Sequence, residues 1–86
     1  MALRILGSAD DVQEQIERAI RTALPDAQVA VKAGGSAHYE LSVVSEAFRG
    51  KSMVQQHQLV YRAITPLMAG DAPPVHAIDR LVTKAP

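Results

Sequence analysis

Cysteine is absent from this chain, and so is tryptophan. Without cysteine there is no disulfide scaffold and no internal thiolate site, a composition that suits a reducing compartment. Three histidines, His38, His57 and His76, are then the strongest candidates to ligate a borderline metal. Net charge is missing too, because nine Lys and Arg balance nine Asp and Glu. A neutral chain lacks the field that dominates affinity for phosphate backbones, which weighs against general nucleic-acid binding and leaves only local patches. No apolar run approaches the ~20 residues that cross a bilayer, and the N-terminus has no apolar leader stretch. The expectation is a soluble, cytoplasmic protein with no membrane partner.

What is present is mostly aliphatic. Hydrophobic residues make up 48% of the chain, with Phe48, Tyr39 and Tyr61 the only aromatics. A length of 86 residues allows one core, so residues 1–86 are expected to form a single, marginally stable domain.

Ser8 and Asp11 have the spacing of a capping box, and Val12, Ile16, Ala19, Ile20, Ala23 and Leu24 recur at helical spacing behind it. Pro25 stops this helix, predicted over residues 9–24. Val29 and Val31 alternate with small or polar neighbours as a short strand. After the Gly34-Gly35-Ser36 turn, the run from His38 to Ser45 alternates again. It places Tyr39, Leu41 and Val43 on one face and His38, Glu40, Ser42 and Val44 on the other. So short a turn predicts an antiparallel hairpin.

Ser45 can cap a short turn containing Ala47 and Phe48, which Gly50 breaks. Ser52 and Gln55 form a second capping-box pattern. The helix that follows has a broad apolar stripe of Val54, Leu59, Val60, Ala63, Ile64, Leu67 and Met68, and is predicted to kink or end near Thr65 because of Pro66. A loop from Gly70 to Pro74 leads to a third strand, predicted over residues 75–83. The order α-β-β-α-α-β predicts an α+β fold, a three-stranded sheet with helices on one face. If the third strand pairs parallel with the second, the helices between them form a crossover and both strands begin at the same end. His38 and His76 would then share one edge of the sheet with the Gly-Gly-Ser turn. Neighbouring strands lie about 4.8 Å apart, so two imidazoles there could share a metal ion or a cluster edge.

The run Gly35-Ser36-Ala37-His38-Tyr39, followed by Val43-Val44-Ser45-Glu46-Ala47-Phe48-Arg49-Gly50, resembles the BolA family. So do His57-Gln58-Leu59-Val60-Tyr61 and Val75-His76-Ala77-Ile78, and the likeness covers residues 10–86. The resemblance implies a class II KH-like fold with a mixed sheet, in which helices two and three form a helix-turn-helix. It also implies a partner, a monothiol glutaredoxin with a Cys-Gly-Phe-Ser site. A 2Fe–2S cluster is shared in such complexes among the glutaredoxin cysteine, a glutathione thiol and BolA ligands, so none is expected in the isolated chain. His76 matches the family's C-terminal ligand histidine.

This chain departs from the family at the other ligand. The usual place, in the loop between the first two strands, holds Ala33, Gly34, Gly35 and Ser36, none of them a cluster ligand. His38 matches a different family histidine, at the start of strand two. It is either a second ligand or a polar residue on the solvent face. In the second helix the family's frequent Arg-His-Arg is Gln56-His57-Gln58 here. Helix packing or a partner contact is therefore expected of His57.

The expected function is a BolA-like adaptor in iron–sulfur cluster trafficking or iron sensing, with metal ligands His76 and His38 and no enzymatic activity. Ser36, His38 and Glu40 are not a hydrolytic set, because nothing supplies a base held by a third group in a pocket. The alternative is a DNA-binding transcriptional regulator using the helix-turn-helix, with His57, Arg49, Lys51 and Arg62 as partner or nucleic-acid contacts. Such DNA binding is expected to be weak: the turn Gly50-Lys51-Ser52-Met53 lacks the second glycine of a backbone-clamping loop. A homodimer through a strand edge or helix pair is a further expectation to be tested.

Overall fold

The structure, a computed structural model, describes residues 9–86, with side chains from Val12 onward. The capping box read at Ser8 and Asp11 lies outside the described residues. Helix α1 (Ala9–Ala23) buries Val12, Ile16 and Ile20, one residue per turn, and Leu24 just beyond it. On its other faces Glu14–Arg18 and Glu17–Arg21 pair at i,i+4 with the acid N-terminal, the favourable order.

Strands β1 (Gln28–Ala33) and β2 (His38–Val44) form the expected antiparallel hairpin, in register from Gln28↔Val44 to Ala33↔Tyr39. Tyr39, Leu41 and Val43 are buried, while the alternate residues stand on the opposite, half-exposed face. The turn closes through Gly34 N–H donating to His38 O at 2.8 Å and His38 N–H donating to Gly35 O at 2.6 Å. The left-handed backbone falls not on the glycines of the turn but on Ser36 (φ 23°) and Ala37 (φ 65°). A side chain at such angles costs about 1–3 kcal/mol, and such strain persists where the surroundings over-determine it.

The second helix expected from the sequence is a single 3-10 turn, Glu46–Phe48, capped by Ser45. Ser45 Oγ accepts from Ala47 N–H and donates to Asp26 Oδ1 at 2.7 Å, while Glu46 N–H donates to Asp26 Oδ2 at 2.8 Å. One carboxylate thus ties the α1–β1 turn to the end of β2. The Glu46 amide, followed by the Ser45 hydroxyl, holds the Asp26 carboxyl below its ordinary value of 3.8. A depressed carboxyl stabilises the fold above its unfolded pKa, and that contribution is lost as pH falls through the folded value. Asp26→Asn is therefore expected to lower the thermal midpoint at pH 7. Melts at descending pH should show the gap from wild type closing below about 3.8; a gap independent of pH would contradict the assignment.

Helix α2 (Met53–Met68) begins with the expected capping box, Gln55 N–H donating to Ser52 Oγ and Ser52 N–H to Gln55 Oε1. Of the two outcomes expected at Pro66, an end near Thr65 does not occur: the helix runs on to Met68. Proline removes one hydrogen bond this close to the C-terminus, and Leu67 and Met68 pack on the core to hold the last turn. Val54, read as part of the apolar stripe, is instead 66% exposed, and the buried residues of α2 are Val60 and Ile64.

Strand β3 (Ala77–Lys84) begins two residues later than expected. Val75 is fully buried and its N–H donates to Leu67 O on α2 at 3.1 Å, so it belongs to the helix layer and not to the ladder. β3 pairs parallel with β2, giving the mixed sheet order β1-β2-β3. The core, centred on Ile16, Ile20, Val43, Phe48, Val60, Ile64 and Val75, lies between this sheet and the two helices on one of its faces.

Candidate functional site

Parallel pairing brings the starts of β2 and β3 together. The hinge of the arrangement is Ala37. In its left-handed conformation its carbonyl accepts from His76 N–H at 2.8 Å and lies 3.4 Å from Ala77 N. His76, the residue before β3, is thereby set against His38, the first residue of β2. The two rings stack with centroids 5.4 Å apart and planes 29° from parallel. His76 is exposed and His38 partly so. The shared edge expected from the sequence is therefore present, with His76 just outside the strand.

A further side chain was not read from the sequence. His38 Nδ1 lies 2.9 Å from Asp79 Oδ1. Asp79 reaches it from a β-bulge: Tyr39 pairs with Ile78 and Glu40 with Arg80, so Asp79 is the extra residue between them. The bulge also corrects the parity of β3. Ile78 faces the core before it and Leu81 and Thr83 after it, which a regular strand could not manage. The sequence signal was Ile78-Asp79-Arg80-Leu81, two consecutive charges between two apolar residues in a strand that otherwise alternates.

Among the described residues no group of three or more His, Cys, Asp or Glu converges as a metal site. Two imidazoles at one exposed edge fit iron, for which imidazole is a suitable donor, but they supply only part of a coordination shell. Beyond them the sheet face opposite the described helices carries a shallow trough of about 270 Å3, lined by Lys32, Glu40, Ser42, Arg80 and Val82.

The remaining sequence candidates lie elsewhere. His57 sits half-buried in α2, with Nε2 fully buried and without a hydrogen-bond partner. Arg49 is engaged by Glu46 through two bonds of 2.8 and 3.0 Å and by Pro86 O. That pairing holds the Glu46 carboxyl below its usual range. Lys51 and Arg62 line a groove of about 180 Å3 with Gln55, Gln58 and Leu59. The expected helix-turn-helix is thus represented by a three-residue 3-10 turn followed by α2.

The fold is an α+β domain with a three-stranded mixed sheet, and a stacked histidine pair stands where β2 and β3 begin. The chain belongs to the BolA family: residues 15–86 match the family model described as BolA-like protein. It is similar to BolA-like protein 1 of Mus musculus, 45% identical over 49 residues, which are 57% of this chain and 34% of that protein. The match therefore spans about a third of the mouse protein's length. A protein from the rpoN-murA intergenic region of Acinetobacter guillouiae is 36% identical over 72 residues, 83% of each chain. Among solved structures, a bolA protein homologue from Coxiella burnetii superposes with a TM-score of 0.69 at 30% identity, covering 92% of this chain and 91% of that one. No helix among the described residues is long and apolar enough to cross a membrane.

Proposed function

We propose that this chain is a non-enzymatic adaptor that binds a monothiol glutaredoxin and contributes His76 and His38 to a shared 2Fe–2S cluster, in iron–sulfur trafficking or iron sensing. The observation that carries this reading is a pair of imidazoles stacked 5.4 Å apart at an exposed edge. Among the described residues no group of three ligating side chains converges there, and the chain has no cysteine, so in this reading the thiolate ligands come from a partner. Membership of the BolA family supports the class of that partner. A cluster bound through imidazole has a raised potential and requires the ligating nitrogen to be free of its proton, which suits labile or sensing cargo. The sheet face next to the pair, which no other described element covers, gives a partner somewhere to dock.

Co-expression with a monothiol glutaredoxin tests the reading. The expected product is a coloured heterodimer whose visible circular dichroism differs from that of the glutaredoxin alone. Co-purification without colour, or no association, would overturn it.

The groove between Lys51 and Arg62 favours a second, weaker reading, contact with a nucleic-acid backbone. Two free-standing cations and a one-turn first helix give little to read bases with. Duplex DNA is expected to bind no more tightly than about 10⁻⁶ M at physiological salt, without sequence preference. Tight, sequence-selective retardation in a gel would instead favour the regulator.

A further inference from the structure

Asp79 and His38 form a contact whose energy does not account for it. Their side chains are 50% and 37% exposed, and pairs so open to water contribute about 0–1 kcal/mol. Its chemical consequence is larger. A carboxylate can only accept, so His38 Nδ1 must donate across the 2.9 Å contact. In the neutral ring the lone pair is then confined to Nε2. Free histidine in water prefers the opposite arrangement, with the proton on Nε2. Metal-ligating histidines almost always give their second ring N–H to a carboxylate, a carbonyl or water, which fixes ring orientation and tautomer.

The backbone is built to make this contact. The bulge at Asp79 inserts one residue into β3, so that Asp79 meets His38 while Arg80 still pairs with Glu40. The second carboxylate oxygen lies over Gly34, 3.6 Å from where a Cβ would stand. The β1–β2 turn, which offers no ligand of its own, thus packs against the acid that orients His38.

We propose that Asp79 is the positioning residue of the half-site: by accepting from His38 Nδ1 it presents Nε2 as the metal-binding nitrogen beside His76. This rests on the cluster-sharing reading, which already takes His38 as the second ligand, and deepens it by naming the group that prepares that ligand.

The test has two arms. In the isolated chain labelled with 15N-histidine, long-range 1H–15N correlation at alkaline pH should show His38 with a pyrrole-type Nδ1 and a pyridine-type Nε2. Asp79→Ala should return His38 to the Nε2–H form, whereas Asp79→Asn, whose carbonyl still accepts, should keep the wild-type form. In the glutaredoxin complex, loss of visible circular dichroism to an iron chelator should be on the order of 10-fold faster in Asp79→Ala and near wild type in Asp79→Asn. The double variant His38→Ala/Asp79→Ala should lose it no faster than His38→Ala alone, because Asp79 acts through His38. A His38 tautomer unmoved by Asp79→Ala, or an Asp79 effect that persists without His38, overturns the proposal. If His76→Ala alters the cluster spectrum and Asp79→Ala does not, only this inference fails. If the wild-type complex carries no cluster, the cluster-sharing reading fails and takes the positioning role with it.

Discussion

His76→Ala is expected to remove the visible circular dichroism of the glutaredoxin complex while leaving the isolated chain folded. The substitution is well isolated. His76 is exposed, and the hydrogen bond that fixes its backbone, N–H to Ala37 O, does not involve the side chain. Alanine keeps that anchor and deletes only the imidazole, leaving His38 as the single nitrogen donor at this edge. Loss of an outer partner of a ligand costs about 10–100-fold in metal affinity, so loss of the ligand itself should cost at least as much. Cluster content of the purified complex, measured by iron analysis and visible dichroism, should therefore fall at least roughly 10-fold. An unchanged spectrum would mean that His76 is a surface residue preceding β3 with no part in the site.

Phe48→Ala is expected to bring the domain close to unfolding. Phe48 is the only phenylalanine in the chain, 1% exposed, and the largest of the fully buried side chains. It stands on the 3-10 turn that joins β2 to α2, so its ring fills the space between the sheet and helix layers. Truncating such a ring costs about 3–5 kcal/mol. At about 0.05–0.15 kcal/mol per residue, a chain of this length has roughly 4–13 kcal/mol in all. A loss of ~3 kcal/mol corresponds to at least roughly 12 °C in thermal midpoint for a domain of this size. Far-ultraviolet dichroism melts measure it directly. A shift below about 4 °C would show that neighbouring side chains collapse into the space.

The parts of the fold governed by a regular period could be read from the sequence. Val12, Ile16 and Ile20 repeat once per helical turn, and Tyr39, Leu41 and Val43 alternate, so each buried face follows from spacing alone. The meeting of His38 and His76 followed from the same rules, since parallel strands start at the same end. The features that escaped depend on local competition for hydrogen bonds. Val75 looks like a strand residue, but its N–H goes to α2. Pro66 looks like a stop, but core packing beyond it outweighs one missing donor. Asp79 was missed because an alternating pattern assumes that no residue is inserted, and the bulge that breaks it shows only as two consecutive charges between Ile78 and Leu81. The unpartnered Nε2 of His57 depends on what surrounds it in three dimensions, which helical spacing does not encode.

The most direct test of the account asks whether nitrogen from this chain touches the cluster. The chain is labelled with 15N-histidine, assembled with unlabelled glutaredoxin and glutathione, reduced by one electron and examined by pulsed electron paramagnetic resonance. Couplings from two 15N imidazoles are predicted in the wild-type complex, one absent from the residual cluster of His76→Ala and the other from that of His38→Ala. A reduced cluster with no 15N coupling from this chain would contradict it.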